Sequence, residues 1–289
     1  MALAYRQGTN SIQTDGKVED MVKSIRILAS GLALATFAAG ANATVILPGS
    51  ETPLQDVINS LYKSAGCPTC SDVSQAPDVN ANQLAPDQLW SIEASGVSAA
   101  TVIIEIAGNA NSNTFGIYDS TNGNKAQLFG GPADQADQAL VSISTTGQVT
   151  VVYLQRDSLG NLQTGSLWSS ASGYFATNIF GYYLDTGAGT LYSDPLLNPD
   201  QADQMVAFQG DGDMIKLPGN NAGIWGSSSD ILAWEDLPYN VSDKDFNDFV
   251  VYVESVHSVP EPGALALLAA GLLAAGIATS STRRRRQHA

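Results

Sequence analysis

From Gln88 onward, short β-prone runs are cut at close intervals by Gly, Asn, Asp, Ser and Pro, and this punctuation fixes the fold class more tightly than any other feature. Gln88 to Ala94, Ala99 to Ala107 and Thr114 to Asp119 are the first such runs, the last closed by Thr121-Asn122-Gly123-Asn124. Gln138 to Ser144 and Gly147 to Gln155 are parted only by Thr145-Thr146. Asn178 to Asp185, Leu191 to Ser193, Met205 to Gln209, Asp230 to Glu235 and Phe249 to Ser255 follow. Many short strands at such spacing predict a mainly β chain, a β-sandwich or jelly roll over residues 88–256. The loop Pro132–Gln138 is echoed at Pro199–Gln204, each leading into an apolar run, which suggests equivalent loops or a coincidence of Asp/Gln-rich turns.

Residues 44–87 read differently. Leu54, Val57, Ile58, Leu61 and Tyr62 recur at helical spacing and predict one short amphipathic helix. Thr52-Pro53-Leu54-Gln55 would start it as a capping box with Pro53 in the first turn. Cys67 and Cys70, the two cysteines of the chain, follow as a C-x-x-C pair. There is no second pair and no βαβ pattern, so a small-loop disulfide is expected rather than a zinc or redox site.

Charge narrows the range of functions. Charged residues make up 14% of the 289, about half the usual share, and the formal net charge is -15. Between Thr44 and Pro262 five basic residues face 25 acidic ones, a net charge of -20. Such a surface repels phosphate backbones, which argues against nucleic-acid binding, and it attracts divalent cations.

The densest acids lie late in the β region: Glu235 and Asp236, a short turn, then Asp243, Asp245, Asn247 and Asp248 before the run Phe249 to Val253. The i, i+2, i+4 spacing of Asp243, Asp245 and Asn247 imitates the opening of an EF-hand loop. Position six is Asp248 instead of Gly, and a strand would carry Glu254, at position twelve, about 23 Å from Asn247. The expectation is instead an oxygen cage of Glu235, Asp236, Asp243, Asp245, Asn247 and Asp248 on a hairpin-like connection, with Asp203, Asp211 and Asp213 as further candidates. Carboxylate and amide oxygens without His or Cys suit Ca2+. The same acids would equally serve to cap turns.

No catalytic triad or zinc set can be assembled from two histidines, His257 and His288, both near the C-terminus. The expectation is a protein without catalytic activity. The alternative is a carbohydrate-binding or carbohydrate-active module, since a glycosidase needs only two carboxylates and Trp168, Trp225 and Trp234 would stack on sugars if they were exposed.

The two ends carry export features. Met21 offers a second start; Lys23 and Arg26, the apolar run Ile27 to Ala39 and the triplet Ala41-Asn42-Ala43 make a secretory signal over residues 1–43, with signal peptidase leaving Thr44 as the mature start. At the other end, Pro260-Glu261-Pro262 is followed by an uncharged run from Gly263 to Ser281 and by Arg283 to Arg286. That run is close to the shortest membrane helix, and the arginines would stay cytoplasmic. Residues 257–289 resemble the PEP-CTERM sorting signal of Gram-negative bacteria. The resemblance implies a transient membrane helix, processing by an exosortase that reads Pro260, Glu261 and Pro262, and release to the cell surface, biofilm or extracellular polysaccharide.

The run Ile231 to Pro238 with Asp243-x-Asp245-Phe246-Asn247-Asp248 also resembles the signature of an uncharacterised domain family of bacterial surface proteins. Asp203 to Phe208 matches an upstream stretch of it, with Gln204 where the family has His, so the likeness is expected over Asn198 to Val253. Its acidic motif implies calcium binding.

Overall fold

Extended segments that alternate apolar and polar residues bury one face, and those that are apolar throughout bury two. Both kinds are present here. The computed structural model describes residues 43–62, 67–93, 96–105, 112–130, 135–155, 161–163 and 168–260. Among them the chain forms one α-helix, α1 (Leu54–Leu61), and fifteen strands. The first seven are β1 (Leu89–Ile92), β2 (Val97–Glu105), β3 (Thr114–Asp119), β4 (Lys125–Gly130), β5 (Gln138–Ile143), β6 (Gln148–Leu154) and β7 (Trp168–Tyr174). Then come β8 (Ile179–Thr186), β9 (Gly189–Tyr192), β10 (Met205–Gln209), β11 (Asp213–Lys216), β12 (Ala222–Trp225), β13 (Ser229–Trp234), β14 (Phe249–Glu254) and β15 (Val256–Val259). The chain is mainly β. Strands β4, β7, β11, β12 and β15 escape the sequence reading because their residues are small, polar or glycine-containing, and tertiary pairing holds them extended.

One sheet runs β15-β1-β8-β3-β4, with β9 also paired to β8; the other runs β10-β13-β14-β2-β5-β6-β7. Strands β11 and β12 form a separate hairpin. The two large sheets share one apolar layer, to which the first contributes Trp90, Phe115, Phe180 and Tyr182 and the second Val149, Val151, Trp234 and Phe249. Phe115 joins the sheets: its ring lies 5.6 Å from Tyr182 in its own sheet and 5.1 Å from Phe249 across the layer. The echoed loops lead into β5 and β10 of one sheet, and the buried Asp137 and the half-buried Asp203 each accept a hydroxyl, from Tyr153 and Thr44 respectively.

The second sheet has another apolar layer on its outer face, at the β10-β13-β14 end and reaching Ile103 of β2. There α1 lays Leu54, Val57, Ile58 and Leu61 against Val206, Ile231, Ala233 and Val250, in a cluster that Trp225 also joins. The expected capping box does not form: Pro53 takes the cap position, and the side chain of Gln55 bonds the N–H of Val79 and the carbonyl of Pro77. Cys67 and Cys70 are joined by a disulfide. Among the described residues no helix is long and apolar enough to cross a membrane; the runs Ile27–Ala39 and Gly263–Ser281 lie outside them, as do Glu261 and Pro262.

Candidate metal centre

Strands β13 and β14 are antiparallel neighbours, with Trp234 opposite Phe249, so residues 235–248 form the connection between two fully buried strands. Phe246, wholly buried in the outer apolar layer, pins this loop near its C-terminal end. Lys244 and Phe246 both take positive φ, 66° and 53°, a conformation side chains tolerate only when neighbouring contacts impose it. Those contacts are visible. The Leu47 N–H donates to the Lys244 carbonyl at 2.8 Å, and the Phe246 N–H donates to Glu235 Oε1 at 2.6 Å. At the other end Gln204 clasps the turn, donating to the Leu237 carbonyl at 2.9 Å and accepting from the Tyr239 N–H at 2.7 Å.

The loop brings one oxygen each from Glu235, Asp243 and Asp245 within 4.8 Å of one another. Two oxygens bound to the same calcium at 2.3–2.6 Å can be no more than about 5 Å apart, so the three fit one coordination sphere. Glu235 is 0% exposed, and its Oε2 has no hydrogen-bond partner. Asn247, 1% exposed, donates its amide to Asp245 Oδ2 at 2.8 Å and to the Thr52 carbonyl at 2.8 Å, while its Oδ1 has no partner. Buried oxygens without donors are costly, and a bound cation is one way to satisfy them.

Of the six residues singled out from the sequence, Glu235, Asp243 and Asp245 converge, and Asn247 adjoins them. Asp236 and Asp248 form a neighbouring arrangement: the Asp236 N–H donates to Asp248 Oδ2 at 2.9 Å, and Asp236 Oδ2 accepts from the Asn113 amide at 3.3 Å. The further candidates are engaged elsewhere: Asp213 with Tyr62 and Ser71, and Asp203 with Thr44. Glu254 lies at the far end of β14, opposite Ser229.

Crowding acids in a dry site raises their pKa. Burial pushes Asp248 up to about 8, and the charges of Asp236, Glu235 and Asp245 add to this. Burial likewise lifts Asp245 to about 6, helped by Asp243 and Glu235, and raises Glu235.

No local pattern signals that the N-terminal segment reaches this region. A Cβ on Gly49 would stand 1.7 Å from Asp245 Oδ2 and 3.1 Å from Asp243 Oδ2, so any side chain here would push the Asp245 carboxylate aside. Trp225 and Trp234 do not form a sugar platform. They are 1% and 0% exposed, and the Trp225 indole N–H is bonded to the Ser229 carbonyl.

The fold and the loop together define a class: a mainly β, acidic protein with an oxygen-rich connection between two central strands. Residues 109–256, just over half the chain, match the family described as Domain of unknown function (DUF4114), and the chain belongs to that family. The likeness reaches well upstream of Asn198, taking in β3 to β9 as well as the acidic connection. Residues 258–286 match the PEP-CTERM protein-sorting motif, which marks a protein exported across the inner membrane to the cell surface and processed by an exosortase. No curated protein and no solved structure matches the chain.

Proposed function

We propose that this is a non-catalytic β-sandwich of the cell surface or biofilm matrix that uses calcium to lock its acidic connection. Supporting this, one oxygen each from Glu235, Asp243 and Asp245 converge within 4.8 Å, with no nitrogen or sulfur donor in the group, and the buried Glu235 keeps an oxygen, Oε2, outside its hydrogen bond to Phe246. Outside the cell calcium is available at millimolar levels, where weak extracellular sites of Kd about 0.1–1 mM operate. At 10 mM calcium such a site adds about 1.4–2.7 kcal/mol of stability. Thermal melts of the exported form with calcium and with chelator test this. A Tm rise with calcium, lost in Asp243→Asn, is expected; Asp243 is exposed and its replacement spares the core. An unchanged Tm would refute the metal reading.

A second reading, a glycan-binding module, is favoured by a shallow cleft between the β11–β12 hairpin and the second sheet. Thr101, Gln138, Asn220, Asn221, Tyr252 and Glu254 line it with amides, hydroxyls and one carboxylate, the set that suits a neutral polyhydroxyl ligand. Binding on a glycan array that is weakened by Asn221→Ala would favour this reading.

A further inference from the structure

A second acid pocket lies where the described chain begins. Thr44 is held there at three points. Its N–H donates to Gln83 Oε1 at 2.9 Å, its carbonyl accepts from Gln83 Nε2 at 2.7 Å, and its hydroxyl donates to Asp203 Oδ2 at 2.5 Å. The fixed geometry of a threonine then places the Thr44 nitrogen within about 6 Å of the Asp203 carboxylate. Asp87 feels the charges of Asp203 and Asp230, both acidic. Burial raises Asp203 and pushes Asp87 up to about 8, and no cation is among the causes acting on either. Ala43, the residue before Thr44, is exposed.

The sequence places a small-x-small cleavage triplet, Ala41-Asn42-Ala43, immediately before this residue. We infer that Asp203 and Gln83, which hold Thr44, form a receptor for the chain's own α-ammonium, created when a signal peptidase cuts between Ala43 and Thr44, and that Asp87 adds to its negative field. Water is consumed in the cut: the Ala43 carbonyl carbon takes its oxygen and leaves as a carboxylate, and the Thr44 nitrogen becomes an ammonium. One N–H of that ammonium keeps the Gln83 bond. The added charge faces two carboxylates that otherwise have only hydroxyl and backbone donors.

The docked end anchors a strap. Ile46 bonds the Asn80 side chain, Leu47 bonds Lys244, Gly49 lies against Asp245, and Thr52 accepts from Asn247. Processing at the inner membrane thus fastens the segment that covers the acidic connection. The inference stands whether or not that connection binds metal.

The test uses the exported chain and needs no metal. Intact mass should give Thr44 as the N-terminal residue; any other start overturns the proposal. Inserting one alanine after Ala43 leaves the cleavage triplet intact and moves the ammonium one residue away. At pH 7 this variant should melt about 2–5 °C lower. A raised α-amine pKa stabilises below the unfolded value and ceases to do so above the folded one, so the difference should vanish by about pH 10. It should also vanish in the Asp203→Asn background. Equal melting at pH 7 overturns the proposal. Should Asp203→Asn fail to fold, the pH dependence of acylation of the wild-type N-terminal peptide decides: an α-amine pKa above about 8 is expected, and an ordinary value refutes docking.

Discussion

The two ends of the seven-stranded sheet are built differently. At one end β10, β13 and β14 are buried on both faces along almost their whole length. At the other, β5 and β6 alternate buried with half-buried or exposed residues. The difference lies in what covers them: α1 and the segment around it roof the first end, in a cluster to which none of β5 and β6 belongs. The acidic connection leaves the roofed end, which explains how carboxylates there become dry enough to be raised in pKa. An open face would solvate and screen them.

The largest test of this contrast is to thin the roof. Ile58→Ala should cost about 2–4 kcal/mol in denaturant unfolding, since Ile58 is 0% exposed on the sheet-facing side of α1. Val152→Ala, on the half-covered face of β6, should cost less than about 1 kcal/mol. Equal costs would mean that the roof does not contribute to the core.

Asp230 probes the dryness of the same end. It is 0% exposed, accepts the Trp90 indole N–H at 2.8 Å, and leaves Oδ1 without a partner. Burial pushes it up to about 6, with the Trp90 bond and His257 opposing. A carboxyl whose folded pKa is raised favours folding below its unfolded pKa, near 4, and loses that contribution as pH rises through about 6. Asp230→Asn should therefore gain about 1–3 kcal/mol over wild type at pH 8 and nothing at pH 4, in paired urea melts. A gain independent of pH would show that desolvation of the charge is not the cause.

Reducing the Cys67–Cys70 disulfide should cost about 1–2 kcal/mol, because so short a loop restrains the unfolded chain little. Intact mass of the exported form before and after reduction checks the bond, and two free thiols would exclude it. Gly49→Ala should have the smallest effect on stability, about 1 kcal/mol, yet abolish the calcium response by displacing the Asp245 carboxylate. A retained response would remove the strap from the metal reading.

Much of this molecule is visible in its sequence where short-range rules operate. The strands at Thr114–Asp119 and Met205–Gln209 match their β-prone runs residue for residue, and α1 follows from the spacing of Leu54, Val57, Ile58 and Leu61. The loop motif placed the acids on a connection between β13 and β14. It could not separate Asp236 and Asp248 from the converging three, because side-chain direction in an irregular loop depends on Lys244 and Phe246 adopting positive φ. Nor could it foresee Gly49 or Thr52 there, some two hundred residues away in sequence.

The sequence by itself determined the β class, the acidity, the amphipathic helix and the C-terminal sorting motif, since each rests on local periodicity, composition or a contiguous motif. Only the tertiary structure decided which face of the long sheet is roofed, that Trp225 and Trp234 are core, and that the segment beginning at Thr44 closes over the acidic connection. Those outcomes depend on contacts between distant segments, and the energy of such contacts comes from desolvation and close approach, which no local pattern records.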